Sequence, residues 1–108
     1  MSISRIDQLK EFLKEDPEDP FLHFALALEL LKMNQLEEAR DLLELLKNRK
    51  PDYLPTYYRL GKTYEELKRT TAALATYQEG IQLAKTKGEQ HTLSELQSAH
   101  QNLLFSDD

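Results

Sequence analysis

Apolar side chains recur along this chain at three- and four-residue intervals, the spacing of one helix face, and the pattern breaks five times. Ile6, Leu9, Phe12 and Leu13 mark one face of a helix over about 4–15. DPEDP, residues 16–20, ends it. Asp19 then serves as a cap and Pro20 suits the first turn of a second helix over about 20–32. Asn34 fits a tight turn before a third helix, 36–49, which stops short of Pro51. A fourth helix, 54–67, starts near Pro55, and a fifth, 71–85, takes Thr70 or Thr71 as its cap. KTKGEQ, residues 85–90, reads as a loop. A sixth helix, 91–104, gathers Leu93, Leu96, His100, Leu103 and Leu104 on one side, with Gln90, Glu95, Gln97 and Gln101 elsewhere on its circumference. The final FSDD is expected to fray. Leu, Ala, Glu, Lys and Gln dominate, with only 3 Gly and 4 Pro, so composition agrees with an all-α chain of about six helices.

One residue interrupts this pattern. Gly61 lies in the middle of the fourth helix, where it costs about 1 kcal/mol relative to alanine. Comparison of the chain with itself supplies a reason. A shift of 34 residues lays Leu26 on Leu60, Ala27 on Gly61, Leu30 on Tyr64, Ala39 on Ala73 and Leu43 on Tyr77. The same shift pairs Leu9 with Leu43, Phe12 with Leu46 and Pro17 with Pro51. The small residues recur in step with the large ones, as they must where two helices cross closely and only a small side chain fits between them.

The second copy, Tyr57, Leu60-Gly61, Tyr64, Ala73 and Tyr77, resembles the tetratricopeptide repeat (TPR) family at every spacing. Lys85 stands where the family pattern ends on proline. The first copy reads His23, Leu26-Ala27, Leu30, Ala39, Leu43 and Pro51, with His23 and Leu43 in slots where aromatics are usual. The resemblance covers about residues 1–87. It implies antiparallel helix hairpins stacked as an α-solenoid: one domain over 1–108, with a capping half-repeat at 1–18, repeats at 20–53 and 54–87, and a capping helix at 88–108. Terminal helices with one polar face are what such stacks need at their ends.

The family also implies a function. The first helix of each of its hairpins lines a concave surface that binds peptides. Carried over by alignment, the lining slots hold Phe21, Phe24, Leu28 and Leu31 in the first repeat, and Pro55, Tyr58, Lys62 and Glu65 in the second. Where the family's carboxylate-binding mode has Lys and Asn, this chain has Phe24 and Leu28, and only Arg59 offers a comparable charge. An apolar ligand with polar selection by Arg59, Lys62 and Glu65 is implied instead. The second helix, FLHFALALELLKM, is apolar almost all round, and such a helix is normally covered on every side. Three covers suit it: a peptide or partner helix, a second copy of the chain in a homodimer, or the first helix and its neighbours curling over it.

Charge and chemistry add less. The net charge is −5, against general nucleic-acid binding. Residues 1–46 carry 11 acids and 5 bases, residues 47–87 carry 9 bases and 4 acids, and residues 88–108 carry 4 acids and no Lys or Arg. Lys47, Arg49 and Lys50 suit the C-terminal dipole of the third helix or, as the alternative, form a basic patch for an acidic partner. The chain has no cysteine, the start has no apolar signal segment, and no apolar run is long enough to span a bilayer, so a soluble cytoplasmic protein without membrane partners is expected. His91 and Glu95 stand four apart without a third metal ligand, and His23 and His100 read as packing residues. Glu37-Glu38 and Glu65-Glu66 lie on polar helix surfaces, and no nucleophile-and-base constellation is present. A non-enzymatic protein–protein interaction module, with no catalytic residue, metal or cofactor, is the expectation; a self-associating scaffold is the alternative.

Overall fold

A computed structural model describes residues 4–106 as six α-helices, with no strand among them. They are α1 (Arg5–Glu15), α2 (Pro20–Lys32), α3 (Leu36–Arg49), α4 (Pro55–Glu66), α5 (Thr70–Lys87) and α6 (Gln90–Leu104). The all-α helix-hairpin fold expected from the sequence is the fold observed. Asp107 and Asp108, the end of the tail expected to fray, lie outside the described residues. The chain divides into two compact units, one through Tyr53 and one from Leu54.

In the first unit α2 packs against both α1 and α3. Ser4 caps α1, its hydroxyl accepting from the Asp7 N–H at 3.1 Å, and the Asp19 carboxylate caps α2 through the Phe21 N–H at 2.9 Å. Leu9, Leu26, Leu30 and Ala39 form the buried core, with Ile6 and Leu13 packed on it. Phe12, expected on the same face, is 51% exposed. Only one helix covers α1, so its buried stripe is narrow, and Phe12 lies about 60° round the helix from Leu9 on the side away from Leu13.

In the second unit α5 packs between α4 and α6. Tyr57, Ala73, Tyr77, Ala84, Leu96 and Ala99 are buried together with Leu54 and Ile81. Tyr64, placed in the core by its slot in the repeat, packs on this cluster half-buried. Gly61 sits against the ring of Tyr77, and a Cβ there would overlap three of its atoms. Gly80 plays the reciprocal part, since a Cβ on it would stand 2.6 Å from the Cβ of Tyr57. Each helix of the α4–α5 hairpin thus gives one aromatic and one glycine to the crossing.

The repeat also shows in the turns. Asn34 and Lys68, 34 residues apart, both adopt the left-handed conformation, with φ of 58° and 62°. Gln35 N–H reaches the Leu30 carbonyl at 2.9 Å, and Arg69 N–H reaches the Tyr64 carbonyl at the same distance. These are the six-to-one bonds that close a helix C-terminus around a left-handed residue. The Ala73 N–H bonds back to the Arg69 carbonyl, so Arg69 stands at the N-cap of α5 and Thr70 is already inside the helix, unlike the threonine cap expected. The loop expected at 85–90 is also shorter. α5 continues to Lys87, and Gly88 ends it at φ 71° with Glu89 N–H bonded to the Ala84 carbonyl at 3.0 Å. Polar residues such as Lys85 and Lys87 suit the last turn of a helix; the stop signal was the glycine alone.

Gly61→Ala tests the close crossing. The alanine gains about 1 kcal/mol of helix propensity, but overpacking against the immobile Tyr77 ring costs about 1–3 kcal/mol. A net loss of up to about 2 kcal/mol in urea unfolding is expected. A double-mutant cycle with Tyr77→Leu, which recreates the Ala27/Leu43 pair of the first unit, should show a coupling of at least about 0.5 kcal/mol in the restoring direction.

Candidate functional site

The residues expected to bind a partner fall into two sets, one in each unit. In the first, α2 carries Phe21, Phe24, Leu28 and Leu31. Phe21 is 60% exposed, a large value for an apolar side chain on a packed helix. Phe24 and Leu28 are half-buried. The ring of Phe24 meets Tyr53 edge-on, with centroids 5.9 Å apart and planes at 67°. Burial of the Tyr53 phenol, with the nearby Asp19 charge, raises its pKa above the ordinary value. Leu31 leans on the buried core of the unit and supports the fold. The helix that reads as apolar all round is therefore covered on its α1 and α3 sides, while Phe21, Phe24 and Leu28 keep accessible surface.

His23, expected in a packing role, is half-buried, and its Nε2 lies 2.7 Å from the Pro17 carbonyl. As the donor of that bond, the ring ties the start of α2 to the preceding turn.

In the second unit, Tyr58 is half-buried, with its ring 6.5 Å from that of Tyr77. The Lys62 Nζ stands 5.6 Å from the Tyr58 ring centroid, and the Arg59 guanidinium 6.0 Å from it. The Tyr77 hydroxyl donates to Glu65 Oε2, and Lys62 Nζ lies 3.8 Å from the same oxygen. Glu65 is thus held within the unit by a phenol and an ammonium. Burial, then the hydrogen bond to Glu65 and its charge, push the Tyr77 phenol well above its ordinary pKa.

Tyr58 and Lys62 form one wall of a groove of about 330 Å³. The opposite wall is α6, through His91, Ser94, Glu95, Ser98 and Asn102, with Ala99 also lining the groove. The sequence reading did not place this wall at a binding site. Its signal was the row Ser94, Ser98, Asn102, spaced four apart along one helix face. His91, four residues before Glu95, lies 3.8 Å from its carboxylate, and both side chains are largely exposed. Among the described residues no three His, Asp or Glu side chains form a group that could hold a metal ion. No helix among them is long and apolar enough to cross a membrane.

Short helical hairpins with exposed apolar and polar faces define a helical-repeat scaffold of the protein-interaction class. The chain belongs to the tetratricopeptide repeat family: tetratricopeptide repeat models match residues 6–60 and 54–87. A tetratricopeptide repeat domain protein from Salinibacter ruber, known from a solution structure, is similar at 46% identity and a TM-score of 0.79, over 85% of this chain and 94% of that one. A Bordetella parapertussis protein matches at 22% identity and a TM-score of 0.83, over 95% and 90% of the two chains. The TPR2B domain of yeast Sti1, in a complex with pHsp70, matches in fold at 18% identity and a TM-score of 0.84, over 91% and 78%. No curated protein matches the sequence.

The buried phenol gives a pH dependence. A pKa raised in the folded state means that the unfolded chain releases this proton first, so stability falls as pH rises above the ordinary phenol value of about 10. In Tyr77→Phe this loss is expected to be shallower by up to about 1.4 kcal/mol per pH unit, read from urea midpoints between pH 9 and 11. At pH 7 the same variant is expected to lose about 1–2 kcal/mol, because the Glu65 carboxylate keeps its partial burial and loses a donor.

Proposed function

We propose that this chain is a non-enzymatic interaction module, acting as one domain, that holds a peptide or partner helix on the first helices of its repeats. The observation that carries this reading is the exposure of Phe21 on α2, beside the half-buried Phe24 and Leu28. An apolar side chain at a packed helix surface gains about 1.5–3 kcal/mol when a partner buries it, and aromatic anchors dominate binding energies at such faces. In the second unit, Tyr58 with Arg59, Lys62 and Glu65 offers an aromatic surface fringed by charge, suited to selecting among partners. The shared fold with a yeast domain found in complex with pHsp70 supports a polypeptide ligand.

The alternative is a homodimer that buries the same apolar side chains, favoured by the additional exposure of Phe12 at 51% in the same unit. Sedimentation separates the two, since a single species of one-chain mass at high micromolar concentration excludes the dimer.

The interaction reading is tested with Phe21→Glu, a change at an exposed site that the fold tolerates. With its helical circular dichroism unchanged, this variant is expected to lose the partners that the unaltered chain captures from native lysate. Retention of every partner would show that the α2 face is not the binding surface.

A further inference from the structure

Among the described residues α5 packs between α4 and α6, whereas α1 packs on α2 alone and α6 on α5 alone. The repeat shows which side α1 leaves bare. Two periods of 34 lay Leu9, Phe12 and Leu13 of α1 on Tyr77, Gly80 and Ile81 of α5. All three α5 residues are buried, and Tyr57 of α4 stands over Gly80. In α1, Leu9 is buried and Leu13 packs on the same core, but Phe12 is 51% exposed. The bare side of α1 is the side on which α5 receives α4, the first helix of its hairpin.

α6 is bare in the complementary sense. A shift of 36 lays the buried Leu60 and Thr63 of α4 on the buried Leu96 and Ala99 of α6. The same shift lays Gly61 on Gln97 and Glu65 on Gln101. In α4 these two positions meet Tyr77 of α5. In α6 both glutamines are exposed, and neither side chain has a hydrogen bond among the described residues. Gln90 and Leu104 lie on the same side, Leu104 53% exposed. This face holds no Asp, Glu, Lys or Arg, although 31% of the chain is charged, and depletion of charge marks the core of an interface.

Size and charge fit the two faces to each other. The crossing of Tyr57 with Gly80 becomes Leu93 with Phe12, so a large and an absent side chain are replaced by two of intermediate size. The crossing of Tyr77 with Gly61 becomes Leu9 with Gln97. Arg5 opens α1 and Glu15 closes it, each at the end whose dipole disfavours it. Both lie on the Phe12 side of the helix, and neither has an ion pair among the described residues. Beside an antiparallel α6, Arg5 meets the negative C-terminal end of a helix without Lys or Arg, and Glu15 meets its positive N-terminal end.

We infer that α6 of one copy docks antiparallel on α1 of a second copy, with Leu93 against Phe12 and Gln97 over Leu9, forming a hairpin from two chains. The two faces differ, so the contact is head-to-tail and leaves one α1 and one α6 free for further copies. It does not rest on the peptide-binding reading, and it is distinct from a dimer closed through Phe21. A single helix pair is a small interface, so association falls in the range of about 10 μM to 1 mM.

Sedimentation of the full chain across that range is expected to show an average mass that climbs above one chain. Phe12→Glu disables only the α1 face and Gln97→Glu only the α6 face. Both positions are exposed, and unchanged circular dichroism checks that both variants fold. Each variant alone is expected to associate at least about tenfold more weakly. Mixed in equal amounts, they are expected to form a two-chain species and nothing larger, because one intact α6 and one intact α1 remain. Leu104→Glu in place of Gln97→Glu should give the same mixture, and Phe21→Glu should associate as the unaltered chain does. A single-chain mass at about 1 mM, a mixture that stays single, or variants that associate undiminished would each overturn the inference. Because the mixture depends on Phe12 and Gln97 and the lysate capture on Phe21, either proposal can fail while the other stands.

Discussion

In the second unit, everything depends on the closeness of α4 to α5. Tyr77 is fully buried with its ring against Gly61, and the Tyr57 side chain lies against Gly80 through its Cβ. The Tyr77 ring occupies the room left at Gly61, and the Tyr57 Cβ with the Leu96 side chain the room left at Gly80, so the helices cross near contact and much apolar area leaves water. Dispersion contacts at this range are individually small and numerous. They outweigh the helix propensity lost at two glycines. At the equivalent positions of the first unit the chain has Ala27 and Leu43, the latter smaller than tyrosine, and both are fully buried.

The crossing also determines what faces outward. With Tyr77 inside, its hydroxyl needs a partner, and Glu65 on α4 supplies one. That bond draws Glu65 into the unit and with it the nearby Lys62, which lies over the Tyr58 ring. One wall of the groove is therefore a consequence of core packing. The other wall, on α6, is the exposed side of a helix whose Leu96 and Ala99 are buried against the unit's core. The groove and the core are two sides of the same three helices.

The turns hold this arrangement in register. Asn34 and Lys68 occupy equivalent left-handed positions, although only asparagine is at ease there. The local cost at Lys68 persists because the bonds from Lys68 and Arg69 back to Glu65 and Tyr64 close the end of α4. A three-residue break, 67–69, then returns the chain along α5, and the short connection leaves the pair antiparallel.

Much of this was legible in the residues themselves. Spacing of Leu, Ala and Tyr at three and four placed all six helices. The 34-residue shift identified Ala27, Gly61, Ala39 and Ala73 as small contact residues, because periodicity and side-chain size are local properties of a string. Boundaries near Thr70 and Lys87 were misread for a related reason: a left-handed turn at Lys68 leaves no compositional mark, and lysines near a helix end resemble a loop. What only the tertiary structure decided is which polar atoms remain free. Glu65 and Glu95 are the same letter, yet one is tied to a buried phenol and the other lies in a groove wall within reach of the His91 imidazole alone. Packing across α4, α5 and α6 makes that difference, and no interval along a single helix encodes it.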